Sequence, residues 1–281
     1  MNPGRNAVAL TLIVSDVDGT IMGPGERVEG ICRAINKLYG LGYKIALATA
    51  KSIYEIIGLM DKICLRQDSL ISIVESGGAI YSSPGVLLSP SKRVTIQGVE
   101  FEVLELGSGL MKYDEVIDRI IMETKCADRV ARLSRMNPKL VSMYTRLSLY
   151  SAKLATMREY MDVLWTMDKR CLESIAESAK ALGFYVFTTK RSIHIGLHGG
   201  KHVALRALID QIGYREIDEV IGIGDTDADK EMLEISDKAI VIPQPDGTIT
   251  INLQRSDYLV APYSAPQGWI YSIELILLKL I

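Results

Sequence analysis

Asp16-Val17-Asp18-Gly19-Thr20 closes an apolar run, Leu10-Thr11-Leu12-Ile13-Val14, with Ser15 between them. The run is short, rich in branched side chains and followed by turn residues, which reads as a buried strand. It places two carboxylates, two residues apart, at a strand's C-terminal end. In an open α/β sheet, ligands bind at that end. Like charges this close are costly unless a cation or a reaction uses them. The pair suits a division of labour: Asp16 attacks, Asp18 handles protons, and a divalent ion neutralises both. A carboxylate nucleophile forming an aspartyl-phosphate is one established route to phosphoryl transfer. By itself the stretch also fits a strand-ending Asx turn.

The flanking sequence alternates helix with strand. Val28, Ile31, Ile35 and Leu38 have helical spacing over 28–39, with Gly40 as a C-cap. Residues 43–48 form a second strand, ending at Thr49. Ser52-Ile53-Tyr54-Glu55 is a capping box that opens the next helix. Residues 70–74, 219–223 and 239–242 read as three more strands. The first runs into Ser76-Gly77-Gly78, the second ends at Gly224-Asp225, and Pro243 stops the third. Such alternation predicts a parallel sheet with right-handed crossovers. The middle differs: paired strands over 94–106, helices over 113–124, 151–165 and 168–182, and a hairpin over 184–187 and 192–197. The expectation is a Rossmann-like α/β core from 1–83 and 192–281, interrupted by an inserted α+β domain, 84–191. Residues 270–281 are too few to span a bilayer and read as a core-packed helix.

Composition narrows the classes. With 281 residues, 48% hydrophobic and 23% charged, the chain can bury a sizeable core. A net charge of −2 argues against nucleic acid as the main partner. No run of 18 apolar residues appears, and the polar stretch 2–6 lacks a signal-peptide pattern. Cys32, Cys64, Cys126 and Cys171 are scattered without a C-x-x-C. They read as reduced, buried thiols, which predicts a cytoplasmic protein.

Asp225-Thr226-Asp227-Ala228-Asp229 is a second acidic cluster at a predicted strand end. An EF-hand loop is excluded, because Lys230 stands at its sixth position and Ser236 at its twelfth. A Mg²⁺ site fits better, since magnesium takes few carboxylates, keeps waters and tolerates a substrate phosphate. Asp225, nearest the strand, is the expected direct ligand; Asp229 binds directly or through water. The cluster also fits an acidic helix N-terminus. Thr49 can hold a phosphoryl group beside free N–H groups at a helix start, or be an ordinary strand-end threonine. Lys51 and Lys201 are cations beside helix N-termini, unfavourable unless an anion joins them. For Lys51 that anion is a bound phosphate or carboxylate; Lys201 would offset charge on Asp16 and the phosphoryl group. A solvated lysine is the simpler alternative for each. His194 and His198 lie roughly 13 Å apart along a strand, and glycines separate His198 from His202, so no bis-histidine metal site is expected.

Asp16-x-Asp18-Gly19-Thr20, Thr49, Lys201 and Gly224-Asp225-x-x-x-Asp229 resemble, in order, the four motifs of the haloacid dehalogenase superfamily of phosphohydrolases. The insert resembles the C2 cap of its Cof-type branch. Glu75-Ser76-Gly77-Gly78-Ala79-Ile80-Tyr81, Arg158-Glu159-Tyr160, Pro245-Asp246-Gly247 and Pro266-Gln267-Gly268-Trp269 together resemble mannosyl-3-phosphoglycerate phosphatases. The resemblance implies that Asp16 is the nucleophile and Asp18 the acid/base. Mg²⁺ would be held by Asp16, the Asp18 carbonyl and Asp225, with Asp229 assisting. Thr49 and Lys201 would bind the phosphoryl group. Lys51, Arg158 and Glu159 would contact a sugar–phosphoglycerate, over which the cap closes to exclude water.

Three positions depart from the family pattern. Ala228 stands where Asn usually precedes the last Asp, Met161-Asp162-Val163 replaces Ser-Glu-Pro, and Gly200 stands where an Asp often precedes the lysine. Arg158, Glu159 and Asp162 also fit a solvated helix face carrying an i,i+4 Arg–Asp pair. The expected activity is Mg²⁺-dependent hydrolysis of mannosyl-3-phosphoglycerate. The alternatives are a broader sugar-phosphate phosphatase, a phosphomutase and a non-catalytic phosphosugar-binding protein.

Overall fold

The computed structural model describes residues 10–25, 27–213 and 217–281, so the polar stretch 2–6 lies outside the described residues. Its strands are β1 (Leu10–Ser15), β2 (Lys44–Ala48), β3 (Ile71–Val74), β4 (Ala79–Ser82), β5 (Lys92–Ile96), β6 (Val99–Glu105), β7 (Val130–Arg132), β8 (Met161–Thr166), β9 (Tyr185–Thr188), β10 (Ser192–Gly196), β11 (Ile217–Gly224), β12 (Lys238–Val241) and β13 (Tyr258–Val260). Its helices are α1 (Ile31–Gly40), α2 (Ile53–Ile63), α3 (Asp114–Glu123), α4 (Pro138–Thr145), α5 (Leu149–Thr156), α6 (Lys169–Ala181), α7 (Lys201–Ile212), α8 (Lys230–Glu234) and α9 (Gln267–Leu277).

A nine-stranded sheet runs in the order β13-β12-β11-β1-β2-β3-β4-β6-β5. It is parallel from β13 to β3 and antiparallel beyond. β1 lies centrally because both its faces are apolar. Ile13 packs with α1, α2 and α9, while Leu12 and Val14 pack with α7 and α8. The chain builds outward from β1 through β2 and β3, then returns to its other side through β11. That reversal is the topological switch point, where a crevice opens at the strands' C-terminal ends. At the start of α2 both arms of the expected capping box form between Ser52 and Glu55. The C-terminal helix is core-packed as expected. Trp269 is fully buried and its indole N–H donates to Ser15 Oγ at 3.0 Å, bracing the end of β1.

A second, four-stranded antiparallel sheet has the order β7-β8-β10-β9. Helices α3 and α6 cover one face, while residues of the α4–α5 segment cover the other. Sheet membership draws different edges from 84 and 191: the β5–β6 hairpin extends the large sheet, and β10 belongs to the small one. The helix expected over 151–165 is two elements, α5 and then β8. In β8, Met161 and Val163 pack on one side and Leu164 on the other. With both faces buried, no polar alternation was left to mark a strand.

The cysteines correct a further expectation. Cys32 bonds Cys64, and Cys126 bonds Cys171. Each pair is distant in sequence, by 32 and 45 residues, but lies at neighbouring helices, α1 beside α2 and α3 beside α6. Closing loops of these lengths stabilises a fold by about 3–4 kcal/mol each, mainly by restricting the unfolded chain. The reduced-thiol argument for a cytoplasmic protein therefore falls away. Among the described residues no helix is long and apolar enough to cross a membrane. Thiol titration of the denatured protein should find essentially no free cysteine before reduction and all four afterwards. Four reactive thiols without reductant would contradict both disulfides.

Candidate active site

β1 and β11 are parallel neighbours whose ends lie level, Ser15 opposite Ile223. The residues that follow them therefore meet in the crevice. The Asp16 backbone N–H bonds Ile223 O at 2.9 Å, and both Asp16 and Asp225 are buried. Gly19 makes the approach possible. Its φ is +84°, and a Cβ there would lie 2.3 Å from Asp225 Oδ2. Asp225 is held from three directions. Thr20 Oγ1 donates to its Oδ1 at 3.0 Å, Gln244 Nε2 to its Oδ2 at 3.0 Å, and Thr250 Oγ1 to its carbonyl at 2.8 Å.

Lys201 opens α7 and is buried, with Nζ 2.7 Å from both Asp16 Oδ1 and Asp229 Oδ1. The second Asp229 oxygen accepts the N–H groups of Asp225 and Thr226, each at 3.2 Å. Asp229 thus has both oxygens engaged, one by Lys201 and the other by the backbone around Asp225. Burial pushes the Asp16 carboxyl well above its usual range, with Lys201 opposing and Asp229 and Asp225 adding repulsion. Asp225 is pushed up to about 6, by burial first and then by Asp229. Burial disfavours the Lys201 ammonium, but Asp16 and Asp229 outweigh it and raise its pKa. Oxygens of Asp16, Asp225 and Asp229 lie within 4.8 Å of one another. Crowded, buried, oxygen-only donors whose ionisation is opposed suit a hard divalent cation.

The Asp18 carboxylate is outside this cluster. It is 59% exposed and pairs with Lys51 Nζ at 2.9 Å. The Asp18 side chain is therefore not among the clustered oxygens of Asp16, Asp225 and Asp229. Lys51 also approaches Glu55 at 3.6 Å, so carboxylates of the chain itself already satisfy its charge. Thr49 is buried where β2 ends. Its N–H bonds Ile73 O and its Oγ1 accepts the Lys51 N–H at 3.2 Å, leaving the hydroxyl proton to donate. A cleft of about 450 Å³ opens beside Asp18, walled by Gly19, 22–25, 243–245 and 264–265 from the large-sheet side and by 145–147 from the end of α4.

Arg158 and Glu159 lie in the segment between α5 and β8, and the helix-face reading of them is overturned. Arg158 donates to Ala50 O at 2.7 Å and Glu55 Oε2 at 3.2 Å, while Glu159 accepts the hydroxyls of Tyr54 at 2.7 Å and Tyr81 at 2.8 Å. Glu75, fully buried, accepts the N–H groups of Glu159, Tyr160 and Met161 at 2.9, 2.9 and 2.7 Å. These contacts clasp the smaller sheet's connection to the large one. Asp162 does not pair with Arg158; it is buried against Arg132 at 2.8 Å. His194 and His198 are kept neutral by burial, their pKa values lowered to about 3 and about 4. The acidic triad is the metal-type cluster found among the described residues.

The family model for haloacid dehalogenase-like hydrolases matches residues 13–89. A mannosyl-3-phosphoglycerate phosphatase from Aeropyrum pernix is 32% identical over 266 residues, 94% of this chain and 93% of the relative. The chain belongs to the mannosyl-3-phosphoglycerate phosphatase family. It is a phosphoric monoester hydrolase of the haloacid dehalogenase superfamily. A glucosyl-3-phosphoglycerate/mannosyl-3-phosphoglycerate phosphatase from Methanococcoides burtonii is 26% identical over 92% of this chain and 94% of its own length. In fold, the chain is similar to a haloacid dehalogenase-like hydrolase from Bacteroides thetaiotaomicron, with a TM-score of 0.66, 16% identity and coverage of 95% and 99% of the two chains.

Within this phosphatase family, two of the chain's departures have local explanations. Ala228 cannot orient Asp225, but Gln244 and Thr250 reach it from the segment after β12. Gly200 has φ +87° and faces the Tyr185 ring, so an aspartate there would be strained. Sequence reasoning missed Gln244 and Thr250, although Gln244 directly precedes the Pro245-Asp246-Gly247 motif, since only folding brings the two to Asp225. Gln244→Ala should weaken divalent-cation binding about 10- to 100-fold, the usual effect of removing an outer partner of a ligand. Calorimetric titration with Mg²⁺ checks this, and unchanged affinity would remove Gln244 from the site.

Proposed function

We propose that this chain is a Mg²⁺-dependent phosphatase that hydrolyses mannosyl-3-phosphoglycerate to mannosylglycerate and phosphate through an aspartyl-phosphate. The observation that carries the reading is the Asp16 carboxylate, with one oxygen held at 2.7 Å by buried Lys201, beside Asp225 and two residues before Asp18, which is exposed and lines the cleft. The other Asp16 oxygen attacks phosphorus, and the phosphorus–oxygen ester bond breaks. Asp18 gives its proton to the departing oxygen, then takes one from the water that attacks the aspartyl-phosphate. Phosphate leaves and the Asp16 carboxylate is restored. Lys201 offsets the growing charge on the phosphoryl oxygens, and the Thr49 hydroxyl donates to one of them. When bound by Asp16, the Asp18 carbonyl and Asp225, Mg²⁺ supplies charge neutralisation at the same oxygens.

The smaller sheet with its helices acts as the cap. Arg158 and Glu159 act on substrate through the position they give the connecting segment, and Lys51 by holding Asp18 at the cleft. A cytoplasmic location suits a multiply charged substrate that does not cross membranes; disulfides do not oppose it, since intracellular proteins of hyperthermophiles can carry them.

The test is phosphate release from mannosyl-3-phosphoglycerate, glucosyl-3-phosphoglycerate and hexose phosphates, each with Mg²⁺ and with chelator. Strong preference for the mannosyl compound, lost on chelation, is the expected result. Broad, weak release would replace it with a general sugar-phosphate phosphatase. Asp16→Asn should reduce turnover by at least about 10³-fold without lowering the melting temperature, because it removes the nucleophile and one buried charge. Normal turnover by that variant would sink the covalent route.

A further inference from the structure

Arg146 closes α4 in the left-handed region, with φ 62° and ψ 14°. Glycine is favoured there, and a side-chain-bearing residue is strained. Its backbone is nevertheless pinned. The Arg146 N–H donates to Ser142 O at 2.8 Å, Ser142 Oγ donates to Leu147 O at 2.7 Å, and the Leu147 N–H donates to Thr145 Oγ1 at 3.3 Å. Leu147 then anchors the turn in the apolar cluster beneath the small sheet. The side chain is exposed, with no carboxylate among the described residues paired to it. Cys64, Lys125 and Lys279 close other helices of this chain in the same left-handed region, so what sets Arg146 apart is where its side chain lies.

Arg146 lines the cleft beside Asp18, and the two are the charged residues of that lining; the rest are glycine, proline, alanine, serine, threonine, glutamine, leucine and methionine. The two lysines of the site are already engaged by the chain's own carboxylates, Lys51 by Asp18 and Glu55 and Lys201 by Asp16 and Asp229. A substrate that brings a carboxylate besides its phosphate therefore meets Arg146 as the cation of this lining, on the leaving-group side where Asp18 delivers its proton. In a 3-phosphoglycerate group the carboxylate is two carbons from the ester oxygen's own carbon, so it enters this cleft with the leaving group. Arginine suits the task, since its planar fork meets both carboxylate oxygens.

We propose that Arg146 is the specificity residue that reads the glycerate carboxylate of the substrate, an inference that rests on the phosphoglycerate reading above. It makes the enzyme prefer phosphate esters with a carboxylate near the ester oxygen over the same esters without one.

The experiment measures binding of 3-phosphoglycerate and glycerol 3-phosphate, which differ in that carboxylate, by calorimetry in the Asp16→Asn background with Mg²⁺. The Arg146-containing protein should bind 3-phosphoglycerate about 10- to 100-fold more tightly, the range of a charge-assisted hydrogen bond. Arg146→Gly should bring the ratio close to one, and Arg146→Lys should leave it intermediate. Because glycine suits the left-handed turn, Arg146→Gly should melt no lower than its parent, which separates lost recognition from lost folding. A ratio unchanged by Arg146→Gly would overturn the inference, as would no difference between the ligands with Arg146 present, including no binding of either. The ratio does not depend on turnover. Failure to release phosphate from any sugar–phosphoglycerate would instead overturn the proposed activity, while this comparison would still decide the role of Arg146.

Discussion

A buried ammonium between two buried carboxylates is the constraint around which the rest is arranged. Lys201 Nζ lies 2.7 Å from Asp16 and from Asp229. Burying charges costs several kcal/mol each, and only good geometry with the remaining lone pairs satisfied offsets that cost. Here the offset is assembled from remote parts of the chain. Asp16 follows β1, Lys201 starts α7, and Asp229 follows β11, where backbone N–H groups of 225 and 226 hold its second oxygen. Removing Lys201 would leave Asp16 and Asp229 facing each other without a counter-charge. The triad therefore ties the ends of the two central strands together and holds the Asp16 carboxylate in one orientation.

The smaller sheet is tied to the same frame by a second polar clasp. Glu75 sits between β3 and β4 in the left-handed region, with φ 48°, and its carboxylate gathers three consecutive N–H groups of the segment entering β8. Burial raises the Glu75 pKa, against Arg158 and those N–H groups. Glu159 adds two tyrosine hydroxyls from the large-sheet side. The motifs around Glu75 and Arg158 thus share one physical task, joining the segment that enters β8 to the large-sheet side.

Much of the large sheet was legible because its strands are short apolar runs ended by polar or glycine-rich turns. β1, β2, β3, β11 and β12 all fell where that pattern put them. The helix starts at Ser52 and Lys201 were legible for the same local reason, a cap or glycine pair before helical spacing. β8 was not, because a strand buried on both faces shows no alternation, and its apolar residues continued the spacing of α5. The disulfides were hidden too, since pairing depends on which helices become neighbours and not on spacing along the chain.

The sequence by itself determined the charged residues of the site and the core: acids at the ends of apolar strands, a lysine at a helix start, and an α/β alternation that must bury its strands on both faces. Those are local facts, set by residue type and short-range periodicity. Tertiary structure alone decided how the charges are shared. It turned the Asp18 carboxylate away from the acidic triad toward Lys51, engaged both oxygens of Asp229, and brought Gln244 and Thr250 to Asp225 in place of a partner at 228. It also put Arg146 on the wall of the cleft that Asp18 faces. Each depends on which strand ends and loops converge at the switch point, a long-range outcome of packing that no stretch of sequence carries.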